Sequence, residues 1–465
     1  MPEVLSAVET ADRIRDKQMT ACEAVEAALK RIDAQNPALN AFVTLDAEGA
    51  LRQAAAVDAA RDRGETLGLL AGVPIGVKDL EPVAGLRWTM GSKAYADTIA
   101  TEDSVQVQRL RSQGAIIVGK TNTPEFGYKG FTENKLFGAT GNPWDPSRTP
   151  GGSSGGSASA VTAGMVPLCT ASDGGGSIRI PSAFSGCYGI KPSSGRIPRA
   201  GEHAPGWGTH STLGPVARTV RDAARYLDCA VGPHPNDLDS LDGPVGVYEA
   251  AAQRQPPKLR RIAWSADLGY AAVEPEVRRL AEAAAHHLAE ALGVELVEAN
   301  PGFSDPLPTW YTIAAAGDVV IVDRMTPEQR AVLEKGFVAF ADQARSLTAA
   351  QMCTALDERH QLNRLMTGFF SEYDLLLTPT VACTAFPKEG PPPREIDGRS
   401  VTPAGYLPFT PAFNVTGHPA ASLPAGLASN GLPVGLQVVA PRHNDQLLLS
   451  VSAAFEAACP WQFPA

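Results

Sequence analysis

Hydrophobic and polar positions follow a helical period over residues 1–63 of this chain. Ser6-x-x-Glu9 and Thr20-x-x-Glu23 each set a hydroxyl and a carboxylate at capping-box spacing before an apolar-periodic run, and the Ala-rich residues 46–63 continue the pattern. At residues 69–80, LLAGVPIGVKDL, the period is lost. A β-branched apolar run of this length, broken by Gly and Pro, predicts a buried strand. It ends on a charge pair, Lys78-Asp79.

The chain then alternates. Residues 102–113 predict a helix and 115–118 a strand; 154–163 predict a helix, with strands at 165–172 and 186–191. Residues 123–144 and 195–215, rich in Gly and aromatic or Pro and His positions, read as loops, the first suited to lining a pocket. Residues 233–257 are polar, Pro-rich and unpatterned, as in a surface connection or a hinge between lobes. A strand–helix–strand unit starts at residues 260–264. Its helix, 274–292, puts Val277, Leu280, Ala284, Leu288 and Leu292 on one face. His286 and His287 lie on it without a metal-spaced partner and read as ordinary helix residues. Helices at 326–344 and 348–370 lead to a strand at 374–378, then to a loop at 385–404 that reads as a lid, a pocket wall or a surface loop. Strands at 420–424 and 435–440 and a helix from Asp445 close the chain.

With 44% hydrophobic and 19% charged residues, the 465 positions describe a globular chain that buries a core. Lys and Arg total 40 against 50 Asp and Glu, and no dense basic run appears, which argues against nucleic acid as a main partner. Seven widely spaced cysteines without a C-x-x-C point to reduced, mostly buried thiols. The start is polar and acidic, unlike a signal peptide, and no apolar run approaches the ~20 residues of a membrane span. The expectation is a soluble cytoplasmic protein.

Candidate chemistry concentrates in residues 149–181, TPGGSSGGSASAVTAGMVPLCTASDGGGSIRIP, where two glycine-serine knots, 151–157 and 174–177, flank a short apolar segment. Glycine at this density costs conformational entropy, which points to backbone N–H groups that must stand where a side chain would otherwise sit. The second knot reads as a nucleophile in its oxyanion hole and the first as its proton relay. Lys78 is a poor core residue at the end of a buried strand, so it is either snorkelling or functional.

Two motif matches fail on context. Gly114-Ala-Ile-Ile-Val-Gly119-Lys120-Thr121 fits the phosphate-binding loop pattern, but its middle residues are themselves the predicted strand and Pro124 follows closely. Gly152-Ser153-Ser154-Gly155-Gly156 fits the nucleophile elbow, yet the proline-broken residues 142–150 precede it where a strand should, and neither His418 nor His443 stands at a spacing that singles it out.

What remains is Lys78 and the two knots. Together with GVPIGVKD (72–79), GKTNTPEF (119–126), NPWDPSRTPGGSSGGSASAV (142–161), SDGGGSIRIPSAFSG (172–186), GIKPSSGRIP (189–198), LTPT (377–380) and FNVTGHPAASLPAG (413–426), the chain resembles the amidase signature family of serine hydrolases. Residue types and separations agree together over nearly the whole length. The resemblance implies an α/β fold, a large mixed β-sheet core covered by α-helices on both faces. It also implies a single domain over 1–465, with a helical scaffold (1–65), a catalytic core (66–230), a more variable helical region (231–375) and a C-terminal part of the core (376–465).

Carried over position by position, the resemblance implies Ser177 as nucleophile, Ser153 as bridging serine after a cis peptide from Gly152, and Lys78 as ultimate base. The chemistry is coherent on its own terms. A serine hydroxyl is a weak nucleophile until a neighbour takes its proton, lysine does so near neutral pH only when burial disfavours its charge, and a second serine both donates and accepts. The backbone N–H groups of Gly174, Gly175, Gly176 and Ser177 are expected to form the oxyanion hole; relatives usually carry Thr or Ile where this chain has Gly174. Asp173 and Arg179 are expected to brace that loop by pairing, and Ser154 to hydrogen-bond within its knot. Ser185 stands where relatives often have cysteine, which leaves Cys187 as a core residue. No metal or organic cofactor is implied.

The expected function is hydrolysis of a small-molecule amide, with carbamates and esters as further possibilities, by a monomer or homodimer. The stretches 126–128 and 205–207 are aromatic and uncharged, which makes Phe126, Gly127, Tyr128 and Trp207 the candidate pocket for a neutral, partly hydrophobic or aryl substrate. Two alternatives stay open at this point: the glutaminase component of a tRNA-dependent amidotransferase, and, from another class, a nucleotide-binding protein using residues 114–121.

Overall fold

The computed structural model describes residues 4–201 and 206–464; of the expected pocket stretch 205–207, Pro205 lies outside the described residues. Both capping boxes form, Ser6 with Glu9 at the helix Ala7–Arg15 and Thr20 with Glu23 at the helix Ala21–Leu39. Each satisfies two backbone donors that a helix start leaves without intrahelical partners.

In chain order the strands are β1 (Phe42–Leu45), β2 (Pro74–Lys78), β3 (Ile116–Thr121), β4 (Leu168–Asp173), β5 (Tyr188–Lys191), β6 (Thr212–Ala217), β7 (Arg261–Trp264), β8 (Glu295–Glu298), β9 (Leu376–Pro379), β10 (Glu395–Ile396), β11 (Arg399–Ser400), β12 (Ala420–Leu427) and β13 (Pro433–Val439). All except the small β10–β11 hairpin join one eleven-stranded mixed sheet in the order β1-β3-β2-β4-β6-β5-β12-β13-β9-β7-β8. Alternation along the strands supplies apolar side chains to both faces. Ile117 joins the core under the helices Val220–Ala230 and Asp445–Ala458, while its neighbours Ile116 and Val118 join the core under the helices Ala21–Leu39 and Gly155–Thr162.

Several elements depart from the sequence reading. The strand expected over 69–80 is confined to Pro74–Lys78. β1 interrupts the N-terminal helices, and β6 occupies the end of the expected loop 195–215. Gly214 and Pro215 make β6 read as a turn, yet Gly214 is there because a Cβ would lie 2.5 Å from the Ile190 carbonyl oxygen. Residues 233–257 are not all surface connection: the short helix Tyr248–Ala252 buries Tyr248 in the main core. No element was expected over the helix Arg179–Ser185 or the helix Leu307–Asp323.

The parallel neighbours β2 and β4 place the site. Because they run the same way, their carboxyl ends lie side by side, Lys78 ending one and Asp173 the other.

Candidate active site

Lys78 is fully buried, and its Nζ donates to Ser153 Oγ at 2.7 Å and to Ser172 Oγ at 3.0 Å. Burial pulls its pKa down to about 7, partly offset by the charges of Glu81 and Asp173. A neutral amine is therefore well populated near neutral pH. The peptide from Gly152 to Ser153 is cis, and Gly152 packs so tightly on Phe131 that a Cβ would lie 2.7 Å from its backbone nitrogen. Ser153 immediately precedes the N-cap of the helix Gly155–Thr162.

Ser177 is 7% exposed and lines the same cavity as Ser153 and Ser172. Its backbone carbonyl accepts from the Ser154 N–H at 3.2 Å, tying the two knots together, whereas no hydrogen bond joins Ser177 Oγ to Ser153 Oγ. The Ser154 hydroxyl does not stay within its own knot, as expected from the sequence; it donates to the Ser172 carbonyl at 3.3 Å. The reason is β4, which ends directly behind the first knot.

Asp173 and Arg179 form a doubly hydrogen-bonded pair, Nε to Oδ2 at 2.9 Å and Nη2 to Oδ1 at 2.8 Å, both side chains fully buried. Burial alone would raise the Asp173 carboxyl; the Arg179 guanidinium overrides it and holds the group well below the usual carboxylate range. That carboxylate also accepts the Gly176 N–H at 2.7 Å and the Ile178 N–H at 3.1 Å. The Gly176 amide, one of the four donors expected to form the oxyanion hole, is thus already hydrogen-bonded to Asp173. Gly176 contributes its backbone conformation instead: φ is +128°, and a Cβ would lie 2.3 Å from Thr410 Oγ1.

Sequence reasoning missed the outer supports. Trp310 Nε1 donates to the Gly174 carbonyl at 2.6 Å and Thr410 Oγ1 to the Gly175 carbonyl at 2.7 Å. Arg179 also donates to the Thr410 carbonyl, Gln437 Oε1 and Asn414 Oδ1. Ser172 carried a signal, its place beside Asp173 at a strand end; Trp310 lies in an apolar helix that carried none.

Two cavities meet at Ser177. The smaller, about 290 Å³, contains Phe126, Gly127 and Trp207 of the expected pocket; the larger, about 700 Å³, contains Gly127, Tyr128 and Trp207. The expectation of an uncharged pocket is corrected on both sides: Glu81, Arg199 and Asp318 line the smaller cavity, and Lys129 and Asp305 the larger. Arg199 is committed to the carbonyls of Gly206, Gly208 and Ser211. Pro392, Thr402, Pro403 and Ala404 make the 385–404 loop a wall of the larger cavity. Lys120 of the phosphate-loop pattern is buried on β3 and donates to Asp79 Oδ1 at 2.9 Å. Among the described residues no cluster of His, Cys, Asp or Glu is arranged to hold a metal ion, and no helix is long and apolar enough to cross a membrane.

Comparison with known proteins places this geometry. The family model described as Amidase matches residues 23–449. The chain belongs to the amidase signature family. Among curated relatives of this amidase signature chain, an acylamidase of Rhodococcus erythropolis is 40% identical over 464 residues, covering 98% of this chain and 96% of the relative. The A component of the Glutamyl-tRNA(Gln) amidotransferase of Synechococcus sp. (strain RCC307) is 37% identical, covering 96% of each. Among solved structures, a bacterial aryl acylamidase of the amidase signature enzymes superimposes with a TM-score of 0.93 at 32% identity, covering 98% of this chain and 97% of that one. A 6-aminohexanoate cyclic dimer hydrolase complexed with substrate gives 0.89 at 30% identity, covering 100% and 99%. This amidase signature protein is an amide hydrolase with the expected α/β fold.

Proposed function

We propose that the protein is a stand-alone amidase that cleaves neutral, partly hydrophobic or aryl amides, and by the same path carbamates or esters, through Ser177, Ser153 and Lys78. The observation that carries this reading is the contact of a fully buried Lys78, near pKa 7, with Ser153 beside a cavity lined by Ser177. Neutral Lys78 takes the proton of Ser153 as Ser153 takes that of Ser177, and Ser177 Oγ bonds to the carbonyl carbon. The amides of Gly174, Gly175 and Ser177 stabilise the oxyanion. The C–N bond breaks as Ser153 returns a proton to the leaving nitrogen, and water repeats the attack to release the acid and regenerate Ser177. The aromatic walls at Phe126, Tyr128 and Trp207 support an aryl or hydrophobic substrate, as does likeness to an acylamidase and an aryl acylamidase.

A panel of nitroanilides, carbamates and small carboxamides, assayed with wild-type protein and Ser177→Ala, tests this. Turnover of nitroanilides that Ser177→Ala abolishes is the expected result; glutamine as the sole substrate overturns it. The second reading, the glutaminase component of a tRNA-dependent amidotransferase, is favoured by relatives at 37% identity. It requires glutaminase activity together with assembly with partner chains, which size-exclusion chromatography of the purified protein resolves.

A further inference from the structure

Trp207 is the one bulky side chain, among the described residues, that lines both cavities at Ser177. Its position is held from three sides. A Cβ on Gly174 would lie 2.3 Å from Trp207 Cε3, so the indole occupies the space that a side chain at 174 would need. A Cβ on Gly317 would lie 2.7 Å from the Trp207 backbone nitrogen. The indole N–H donates to Asp318 Oδ1 at 2.8 Å, and the ring meets Trp310 edge to face at 5.3 Å. Gly317, Asp318 and Trp310 all belong to the helix Leu307–Asp323, which therefore acts as the clamp.

The two compartments differ in what reaches the reacting atoms. Ser153 and Ser172 line only the smaller cavity, while the larger one, walled by Trp310, Tyr311, Phe340 and Leu407, touches Ser177 but neither of them. Only Ser153 can return a proton to the leaving nitrogen, so that nitrogen and its substituent must lie on the Ser153 side. The acyl substituent, across the carbonyl carbon, then points into the aromatic side. We propose that Trp207 is a specificity-determining partition that confines the leaving amine to the smaller cavity and directs the acyl group to the larger, aromatic-walled one. The assignment rests on the Ser177–Ser153–Lys78 reading above. It makes the preferred substrate class amides of long or bulky acids with compact aryl amines.

Two substrate series test this by liquid chromatography of the released amine: 4-nitroaniline acylated with acetyl through decanoyl, and acetyl amides of aniline, naphthylamine and aminopyrene. Wild-type kcat/KM is expected to hold or rise with acyl length and to fall by about ten-fold or more at aminopyrene. Trp207→Ala should raise the aminopyrene-to-aniline ratio by about ten-fold while keeping the rank order of the acyl series. Gly174→Thr should raise the same ratio by displacing the indole, and should change it no further in the Trp207→Ala background, since both act on one contact. Ala339→Trp, in the lining of the larger cavity but not of the smaller one, should lower the decanoyl-to-acetyl ratio and leave the amine ratio where it was. The inference is overturned if long acyl groups are rejected and bulky amines accepted by the wild type, or if Ala339→Trp moves the amine ratio instead. Cleavage with the wrong size dependence overturns the inference alone. Cleavage of neither series overturns the amidase reading and the inference with it. Wild-type rates already decide between these outcomes should a variant fail to fold.

Discussion

Lys78 and Ser153, 75 positions apart in sequence, meet at 2.7 Å, the lysine fully buried and the serine at the edge of the smaller cavity. Burial is what makes the contact chemically useful, because it brings an amine that is ordinarily protonated into the range where it can accept a proton.

The first consequence is a pH profile. With Lys78 near 7, kcat/KM should fall by about ten-fold per pH unit on the acid side of that value and level off above it. A rate–pH titration on a nitroanilide measures this, and a profile flat from pH 5 to 9 would contradict Lys78 as the base. Ser177→Ala should lower kcat by roughly 10³-fold or more.

Burial of this lysine also has a cost in stability. The unfolded chain binds the Lys78 proton up to its ordinary value of 10.5, whereas the folded chain releases it at about 7. Between those values the unfolded state holds more protons, so this group's contribution to stability rises with pH across that window; below about 7 its penalty is fully present. Lys78→Met removes the penalty. Its melting temperature should therefore exceed that of the wild type at pH 6, by an amount that shrinks toward pH 10, as differential scanning calorimetry would show, while hydrolysis is lost.

Ser172 offers Lys78 a second acceptor at 3.0 Å. Without that hydroxyl the ammonium form is less well solvated, so Ser172→Ala should move the acid limb of the kcat/KM profile to lower pH. It should also reduce kcat by about 10–100-fold through a less well held amine. A fall in kcat with an unmoved limb would mean that the hydroxyl only packs.

Asp173→Asn leaves the Arg179 guanidinium buried without its countercharge. Loss of one partner of a buried pair typically costs about 3–5 kcal/mol, which chemical denaturation would register. Because the folded Asp173 pKa is depressed, its stabilisation is present above the ordinary carboxylate value and is lost as pH falls through the folded one. The wild-type protein should therefore lose stability below about pH 4 more steeply than Asp173→Asn does.

Legibility from sequence followed the range of the interactions involved. The capping boxes at Ser6 and Thr20 depend on residues three apart and were readable. The strand–helix–strand unit at Arg261–Glu298 was readable from one amphipathic face. β6 was not, since Gly214 and Pro215 look like turn residues until Ile190 is seen beside them. In the site, Lys78 and both serine knots stood out because a charge in an apolar run and clustered glycines are anomalous in themselves. Trp207 was readable as a pocket aromatic, whereas Trp310 and Asp318 are ordinary residue types made important only by the packing that brings residues 307–323 against Trp207 and Gly174. The Gly174 departure is the case between: visible as unusual in the sequence, and explained only by the indole that fills its place.

The braces of the nucleophile loop come from far along the chain: Thr410, Asn414 and Gln437 lie 231, 235 and 258 positions beyond Arg179. Lys78, Ser153 and Ser177 are all synthesised before any of these partners exists. During synthesis a growing chain thus carries all three proposed reactive side chains before the residues that brace the loop around Ser177. Activity through these side chains should therefore appear only once residues 410–437 have docked against Arg179.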